Sequence, residues 1–301
     1  MLGWRLLMSC ILLPSLVALF WLDQRLGHQG WVLFGLCAFI AVRNSFEMVD
    51  LLKTRNLRPV FPLCAALSLL VVVAGWGRVL FPGIASSLDP SSGPLLSMGF
   101  IGSALVLSFL ILLVVEAIRY EQPGNSMESL GAHLITVLYA GGLLAVTAQM
   151  RWFPRPELGY FAMASMIVCV KCGDTFAYTF GRLWGKRKMA PKLSPGKTWM
   201  GLVGAIVGST VGGMLWLTLA GGMFEAAPKL SSIANGLAYG AVLGLVGLAG
   251  DLCESLIKRD AQKKDSAALM PGFGGLLDLL DSPLFTGPVA LAWWVFLPPA
   301  V

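Results

Sequence analysis

Long runs of apolar residues, separated by short polar stretches, follow one another along the whole chain. A helix needs about 20 apolar residues to cross the hydrocarbon core of a bilayer, and the runs have that length. The alternation typical of barrel strands is missing. The pattern therefore predicts an all-α, polytopic integral membrane protein of about nine transmembrane helices. The predicted spans lie near residues 1–22, 30–48, 59–80, 95–118, 129–150, 158–181, 198–224, 233–257 and 283–301.

The composition agrees with this pattern and limits the classes of binding partner. Hydrophobic residues make up 56% of the 301 residues and charged residues 13%, against about 25% charged in a soluble domain. The mean hydropathy is +0.76. A formal net charge of +6 is too small to indicate nucleic-acid binding. The cations cluster in a few loops, which favours anionic lipid headgroups or nucleotides as partners.

Lysine and arginine predict the orientation, because cytoplasmic loops of membrane proteins are enriched in them. They concentrate in every second loop, starting with the loop after the second predicted span. The N-terminus is therefore predicted to be cytoplasmic and the C-terminus to lie outside. Loops 182–198 and 258–282, which carry most of the reactive groups, are then predicted to share the cytoplasmic face.

Reactive groups are distributed unevenly. Residues 1–150, with about five predicted helices, hold few of them and are predicted to form a scaffold that faces lipid. Residues 151–301 hold nearly all of them and are predicted to form the catalytic domain. Glycine-rich stretches within residues 201–213 and 236–250 predict close helix packing in this half.

The first chemical constellation covers residues 171–199. Asp174 lies inside a predicted span, where an ionisable group is a functional candidate unless its neighbour Lys171 merely neutralises it. The following loop presents six cations, more than orientation requires, which favours phosphate contact. The run from Ser194 to Thr198 (SPGKT) is not a nucleotide-binding P-loop, because the motif needs a glycine where Pro191 stands. Backbone amides at a helix start, with Lys197 at the entrance, could still hold an anion. The six cations are Arg182, Lys186, Arg187, Lys188, Lys192 and Lys197.

The second constellation covers residues 251–282. Asp251 and Ser255 share one helical face, and Asp278 and Asp281 share another beside a glycine-rich turn. Two neighbouring carboxylates repel each other unless a cation neutralises them. We therefore predict that Asp251, Asp278 and Asp281 bind a metal, although a surface helix with solvated charges would give a similar pattern. Oxygen ligands without histidine or cysteine favour Mg²⁺ over Zn²⁺.

These two stretches resemble the phosphatidate cytidylyltransferase (CDP-diacylglycerol synthase) family. The family pattern S-x-x-K-R-x4-K-D, P-G-H-G-G, D-R-x-D is matched at Ser255, Lys258, Arg259, Lys264, Asp265, Pro271, Gly272, Gly274, Gly275, Asp278 and Asp281. An upstream pattern is matched at Asp174, Ala177, Tyr178, Gly181, Gly185, Lys186, Pro191, Lys192, Ser194, Pro195, Lys197, Thr198 and Trp199. Two positions depart from the pattern: Phe273 replaces the family histidine and Leu279 the family arginine.

The resemblance implies that CMP is transferred from CTP to phosphatidate, giving CDP-diacylglycerol and pyrophosphate, with Mg²⁺ as cofactor and a second cation left open. It implies an enzyme of phospholipid biosynthesis in the cell inner (cytoplasmic) membrane, with its active site on the cytoplasmic face. Membrane lipids are further expected partners, and a homodimer is left open. The expected catalytic residues are Asp251, Asp278, Lys258 and Arg259. The expected substrate-binding residues are Asp174, Lys192, Ser194, Lys197, Thr198, Ser255, Lys264, Gly274 and Gly275.

Three other functions fit parts of the pattern. A CTP-dependent lipid kinase of the polyprenol or phytol type would share the architecture but release CDP. A transporter would place charges near mid-bilayer in two related halves, whereas here they crowd one half. A non-catalytic relative is compatible with Phe273 and Leu279.

Overall fold

The computed structural model describes residues 2–54, 57, 59–83, 93–124, 126–153, 155–224, 232–269 and 274–299. They are helical almost throughout, with one two-stranded hairpin, which confirms the all-α prediction. The π-helical turn Leu138–Gly142 connects α6 to α7. The helices are α1 (Leu2–Arg25), α2 (Trp31–Lys53), α3 (Phe61–Gly75), α4 (Gly77–Leu80), α5 (Gly93–Ile118), α6 (Ser126–Val137), α7 (Leu143–Ala148), α8 (Gly159–Trp184), α9 (Trp199–Leu219), α10 (Ile233–Asp260) and α11 (Leu276–Phe296).

Seven helical segments within the described residues are long and apolar enough to cross a membrane. They confirm a polytopic membrane protein, while the count of nine and the orientation of the N-terminus stay predictions. The seven segments are Trp31–Lys53, Leu96–Ile118, Ser126–Trp152, Gly159–Trp184, Trp199–Leu219, Ile233–Asp260 and Leu276–Phe296.

Several predicted spans differ at their ends from the observed helices, among them the third, the eighth and the ninth. The third ends early: α3 has 15 residues and stops before Trp76, whose indole Nε1 donates to the backbone oxygens of Gln29 and Gly30. The eighth runs on to Asp260. The ninth begins at Leu276 rather than at residue 283, so the predicted loop 258–282 is helical at both ends.

The chain divides into two compact units. The first contains Met1–Gln149 and Asp260–Leu279, and the second contains Met150–Arg259 and Leu280–Val301. Most of the loop that we assigned to the C-terminal half thus belongs to the first unit. The core of the first unit is an apolar cluster drawn from α3, α5, α6 and α7, with Val71 and Leu112 fully buried.

The second unit packs its helices at very short range. A Cβ atom added at Gly208 of α9 would lie 2.6 Å from the Cys172 backbone oxygen of α8. One added at Gly244 of α10 would lie 2.7 Å from the Ala205 backbone oxygen of α9. Real Cβ atoms do not approach backbone so closely, which confirms that glycine permits this packing.

Gly244→Ala is therefore expected to destabilise the protein by about 1–3 kcal/mol, because the methyl group forces α9 and α10 apart. Thermal unfolding of the purified protein in detergent measures this. Gly102→Ala in α5 is the matched control, since nothing lies within 4 Å of its added Cβ. Equal melting temperatures for the two variants would contradict the packing argument.

The segment read from the sequence as loop 182–198 contains a β-hairpin. Strand β1 (Lys188–Ala190) pairs antiparallel with β2 (Ser194–Thr198), with Lys188 opposite Thr198. Thr198 then starts α9: its Oγ1 accepts a hydrogen bond from the Gly201 backbone N–H at 3.0 Å, an ordinary N-cap. The hairpin thus fixes Lys197 one residue before the N-cap of α9.

Candidate functional site

Charged side chains from three helices and one strand gather in the second unit. Lys171 and Asp174 come from α8, Lys197 from β2, Asp251 from α10 and Asp281 from α11. Asp174 interacts electrostatically with Lys171, Lys197 and Asp251. Asp281 interacts with Asp251, Lys171 and Asp174. The structure therefore brings together five residues that the sequence distributes over more than 100 positions, and we call this group the charged cluster.

Ion pairs link members of the charged cluster. Lys197 Nζ pairs with Asp251 Oδ2, and the side chains are 20% and 30% exposed. Ser255 Oγ lies 3.5 Å from the other Asp251 oxygen. Lys171 Nζ lies 3.6 Å from Asp174 Oδ2, in a pair that is about half exposed. The cluster is thus partly open to small polar molecules, and two of its three carboxylates, Asp174 and Asp251, are paired with lysines.

Thr198 caps the helix that follows the hairpin. It is 3% exposed, and its hydroxyl caps α9. The structure thus gives Thr198 a capping function, and the substrate contact that the motif implied stays a prediction. Two other predicted contacts on the hairpin remain accessible, since Lys192 is exposed and Ser194 half-buried.

The last two turns of α10 hold the predicted Ser255, Lys258 and Arg259. Lys258 Nζ donates to Glu254 Oε2 at 2.7 Å, and both residues are buried. The sequence analysis did not identify Glu254 as this partner, although the spacing of four residues is the usual one for a helical ion pair. Arg259 is exposed and donates from Nε to the Leu193 backbone oxygen at 3.3 Å, so it contacts the turn of the hairpin.

Asp278 lies in the first unit, at the start of α11. Its Oδ2 accepts hydrogen bonds from the Ser266 N–H at 2.8 Å, the Ser266 hydroxyl at 2.7 Å and the Gly275 N–H at 2.7 Å. The bond to Gly275 is the carboxylate half of a capping box, which satisfies an amide without a partner inside the helix. Asp278 therefore helps to begin the helix that carries Asp281.

Two glycines just before α11, Gly274 and Gly275, leave room for the carboxylates of Asp278 and Glu47. Gly274 has φ of 90°, which favours glycine, and an added Cβ would collide with Asp278 Oδ2. An added Cβ at Gly275 would collide with Ser266 Oγ and Glu47 Oε2. The described contacts thus give both glycines a backbone function, and the substrate contact that the motif implied for them stays a prediction. Lys264, the other predicted contact in this segment, is exposed.

Glu47 of α2 is a residue that the sequence analysis missed. It is fully buried, and its Oε1 accepts from the Leu276 N–H at 3.0 Å. Its Oε2 accepts from the Leu277 N–H at 2.9 Å and lies 2.8 Å from the Ser266 hydroxyl, whose single proton it shares with Asp278. An ionisable residue within a predicted span was the available signal.

The predicted metal ligands are divided between the units, with Asp278 in the first and Asp251 and Asp281 in the second. Over the part of the chain that the structure describes, no three His, Cys, Asp or Glu side chains form a ready-made metal site. The ligand set stays a prediction. Of the two departures from the family pattern, Leu279 is half-buried and Phe273 lies outside the described residues.

The chain is similar to known proteins along nearly its whole length. It belongs to the Cytidylyltransferase family, whose model matches residues 3–297. This confirms the resemblance and the predicted enzyme class, a membrane-embedded nucleotidyltransferase.

Individual relatives include two named phosphatidate cytidylyltransferases and one uncharacterized protein. A phosphatidate cytidylyltransferase of Brucella abortus is 31% identical over 255 residues, which cover 85% of this chain and 80% of that protein. A phosphatidate cytidylyltransferase of Chlamydia pneumoniae is 33% identical over 193 residues, 62% of each chain. The uncharacterized protein YnbB of Escherichia coli K12 is 33% identical over 164 residues. That match spans only about half of the YnbB protein, 52% of its length.

Proposed function

We propose that this protein transfers CMP from CTP to phosphatidate and so forms CDP-diacylglycerol and pyrophosphate. The match to the Brucella abortus phosphatidate cytidylyltransferase over 85% of the chain carries the proposal. The charged cluster supports it, because carboxylates beside lysines suit the handling of a triphosphate and a lipid phosphate.

The reaction needs no strong base. The second pKa of a phosphomonoester is about 6, so the phosphatidate phosphate is already ionised near neutral pH. One of its oxygens attacks the α-phosphorus of CTP and forms the new P–O bond. The bond between the α-phosphorus and its bridging oxygen breaks, and that oxygen leaves with pyrophosphate. Catalysis of this kind depends on positioning and on neutralising charge.

The chain's own cations would supply much of that neutralisation. Lys197 lies beside Asp251, and Arg259 contacts the hairpin turn near the exposed Lys192. We assign Lys192, Lys197 and Arg259 to the phosphates of CTP and phosphatidate. Lys258 is bonded to the buried Glu254, so we assign it to holding the end of α10 and only through that to the substrates.

The charged cluster fits a hard divalent cation. Its three carboxylates outnumber its two ammonium groups by one negative charge, and carboxylate oxygens are the ligands that Mg²⁺ prefers. Asp251 and Asp281 are the ligands assigned from this cluster, and Asp278 is added from its spacing three residues before Asp281. When bound, Mg²⁺ would neutralise phosphate charge. We further propose that the site faces the cytoplasm; a homodimer stays a prediction.

Product analysis with position-specific label tests the proposal. Purified protein is incubated with phosphatidate and CTP labelled at the α- or the γ-phosphate, with and without Mg²⁺. We expect α-label in the lipid and γ-label in released pyrophosphate, both dependent on Mg²⁺. A lipid kinase, which the comparisons do not favour, would put the γ-label into lipid and release CDP. Absence of α-label from the lipid would refute the proposed transfer.

A further inference from the structure

One face of α2 contacts the segment that follows α10, within the first unit. Arg43, Glu47, Asp50 and Thr54 follow each other at intervals of four, three and four residues, so they share a helical face. Thr54 Oγ1 donates to the Ala261 backbone oxygen at 3.0 Å, and Asp50 Oδ2 pairs with Lys263 Nζ at 3.1 Å. Glu47 forms hydrogen bonds with Ser266 and with the start of α11. We call these four residues the α2 polar face.

Glu47 is the residue of this face whose two oxygens both bind backbone. The first amides of a helix have no partner within the helix, and Glu47 accepts two of them, from Leu276 and Leu277. Asp278 accepts the amide of Gly275. The Ser266 hydroxyl lies within hydrogen-bond distance of both carboxylates. The start of α11 and the carboxylate of Asp278 are thus held by one continuous network.

The network has little room to relax. Glu47 is fully buried, and Arg43 Nε contacts its Oε1 at 3.0 Å. The added Cβ at Gly275 would collide with Ser266 Oγ and Glu47 Oε2, so the segment lies directly against the carboxylate. A shift of Glu47 would therefore move α11 at the turn from which Asp278 projects.

We propose that Glu47 is a positioning residue for nucleotidyl transfer: it anchors the first turn of α11 to α2 and through Ser266 sets the place of the Asp278 carboxylate. The N-terminal helices then do more than face lipid, because α2 fixes part of the reacting machinery. This inference depends on the proposed function for its kinetic part and on geometry alone for the anchor.

Glu47→Gln tests it. Glutamine keeps the shape but offers one acceptor oxygen and an NH₂ donor to two backbone N–H groups, so one of them loses its acceptor. We expect kcat to fall about 10- to 100-fold, as for groups that orient a reacting residue. KM for CTP should change far less, because Glu47 does not contact the nucleotide in this proposal. Amide hydrogen exchange in the peptide with Leu276 and Leu277 should become at least about tenfold faster.

Glu116→Gln is the matched control. Glu116 is also buried in a spanning helix of the first unit, α5, and its Oε1 accepts from the Ser129 hydroxyl at 2.7 Å. The Glu116→Gln substitution makes the same chemical change as Glu47→Gln, but at a position outside the α2 polar face. We expect unchanged kcat and unchanged exchange at Leu276 and Leu277.

The outcomes separate the two proposals. Unchanged exchange at the start of α11 in Glu47→Gln overturns the anchor. Faster exchange with unchanged kcat overturns the positioning role, as does an equal loss of kcat in Glu116→Gln. If the wild-type protein forms no CDP-diacylglycerol, the proposed function fails, and the exchange experiment still decides whether Glu47 anchors α11.

Discussion

Asp251→Asn is expected to reduce kcat by about a thousandfold or more, the scale of groups that neutralise charge in phosphoryl transfer. The substitution removes one of three carboxylates from the charged cluster and so cancels its excess negative charge. We therefore expect the variant cluster to bind a divalent cation much more weakly. Release of pyrophosphate, measured across a Mg²⁺ titration, gives both the rate and the metal dependence.

A double variant separates function from structure at this position. Asp251 pairs with Lys197, and a purely structural pair can be replaced by two neutral side chains at little cost. Asp251→Asn combined with Lys197→Met should then recover activity only if the pair is structural. We expect no recovery. Asp23→Asn is the control, because asparagine can still accept from the Val32 and Leu33 amides that Asp23 Oδ1 binds.

Asp278→Asn is the second substitution with a large expected effect, again about a thousandfold or more in kcat. Asparagine can turn its oxygen toward Ser266 and Gly275 and keep the helix start, but it carries no charge. We therefore expect amide exchange at Leu276 and Leu277 to stay as in the wild type while turnover is lost. If the first turn of α11 simply unfolded, amide exchange at Leu276 and Leu277 would instead become faster.

The same variant also tests the alternative role of Asp278. Its Oδ2 already accepts three hydrogen bonds, so a cap without any part in catalysis would explain the geometry. Near-wild-type turnover in Asp278→Asn would show that Asp278 is only a cap, and its assignment as a metal ligand would be wrong. Asp251 and Asp281 would then remain as the assigned ligands.

Much of the fold was predictable, because the hydrocarbon core forces apolar stretches into helices. Prediction from the local sequence pattern was wrong where a contact with a distant part of the chain accompanies the end of a helix. The helix after residue 60 stops before Trp76, whose indole bonds to Gln29 and Gly30, and neither lies in its own window of sequence. At the end of α10 the deciding contact is local: the segment was read as a loop from its charges, whereas Glu254 and Lys258, four residues apart, pair within the helix.

The sequence predicted many residues of the candidate site, but not how they are arranged in space. Asp251 and Lys197 were both identified, but their pairing joins positions 54 residues apart. The SPGKT run contains proline and glycine, which usually indicate a turn, yet it forms β2. Glu47 could not be predicted from charge density, because its partners Leu276 and Leu277 bind it through backbone N–H groups and carry no charge.

The distance along the chain between Glu47 and its partners has a consequence for synthesis. Glu47 precedes Leu276 by 229 residues. At about 5–20 residues per second, roughly 10 to 50 seconds of translation separate the two. During that time the nascent α2 holds a carboxylate whose final amide donors have not yet been made. Arg43, one turn earlier in the same helix, has been made by then, so its ion pair with Glu47 does not depend on the synthesis of α11.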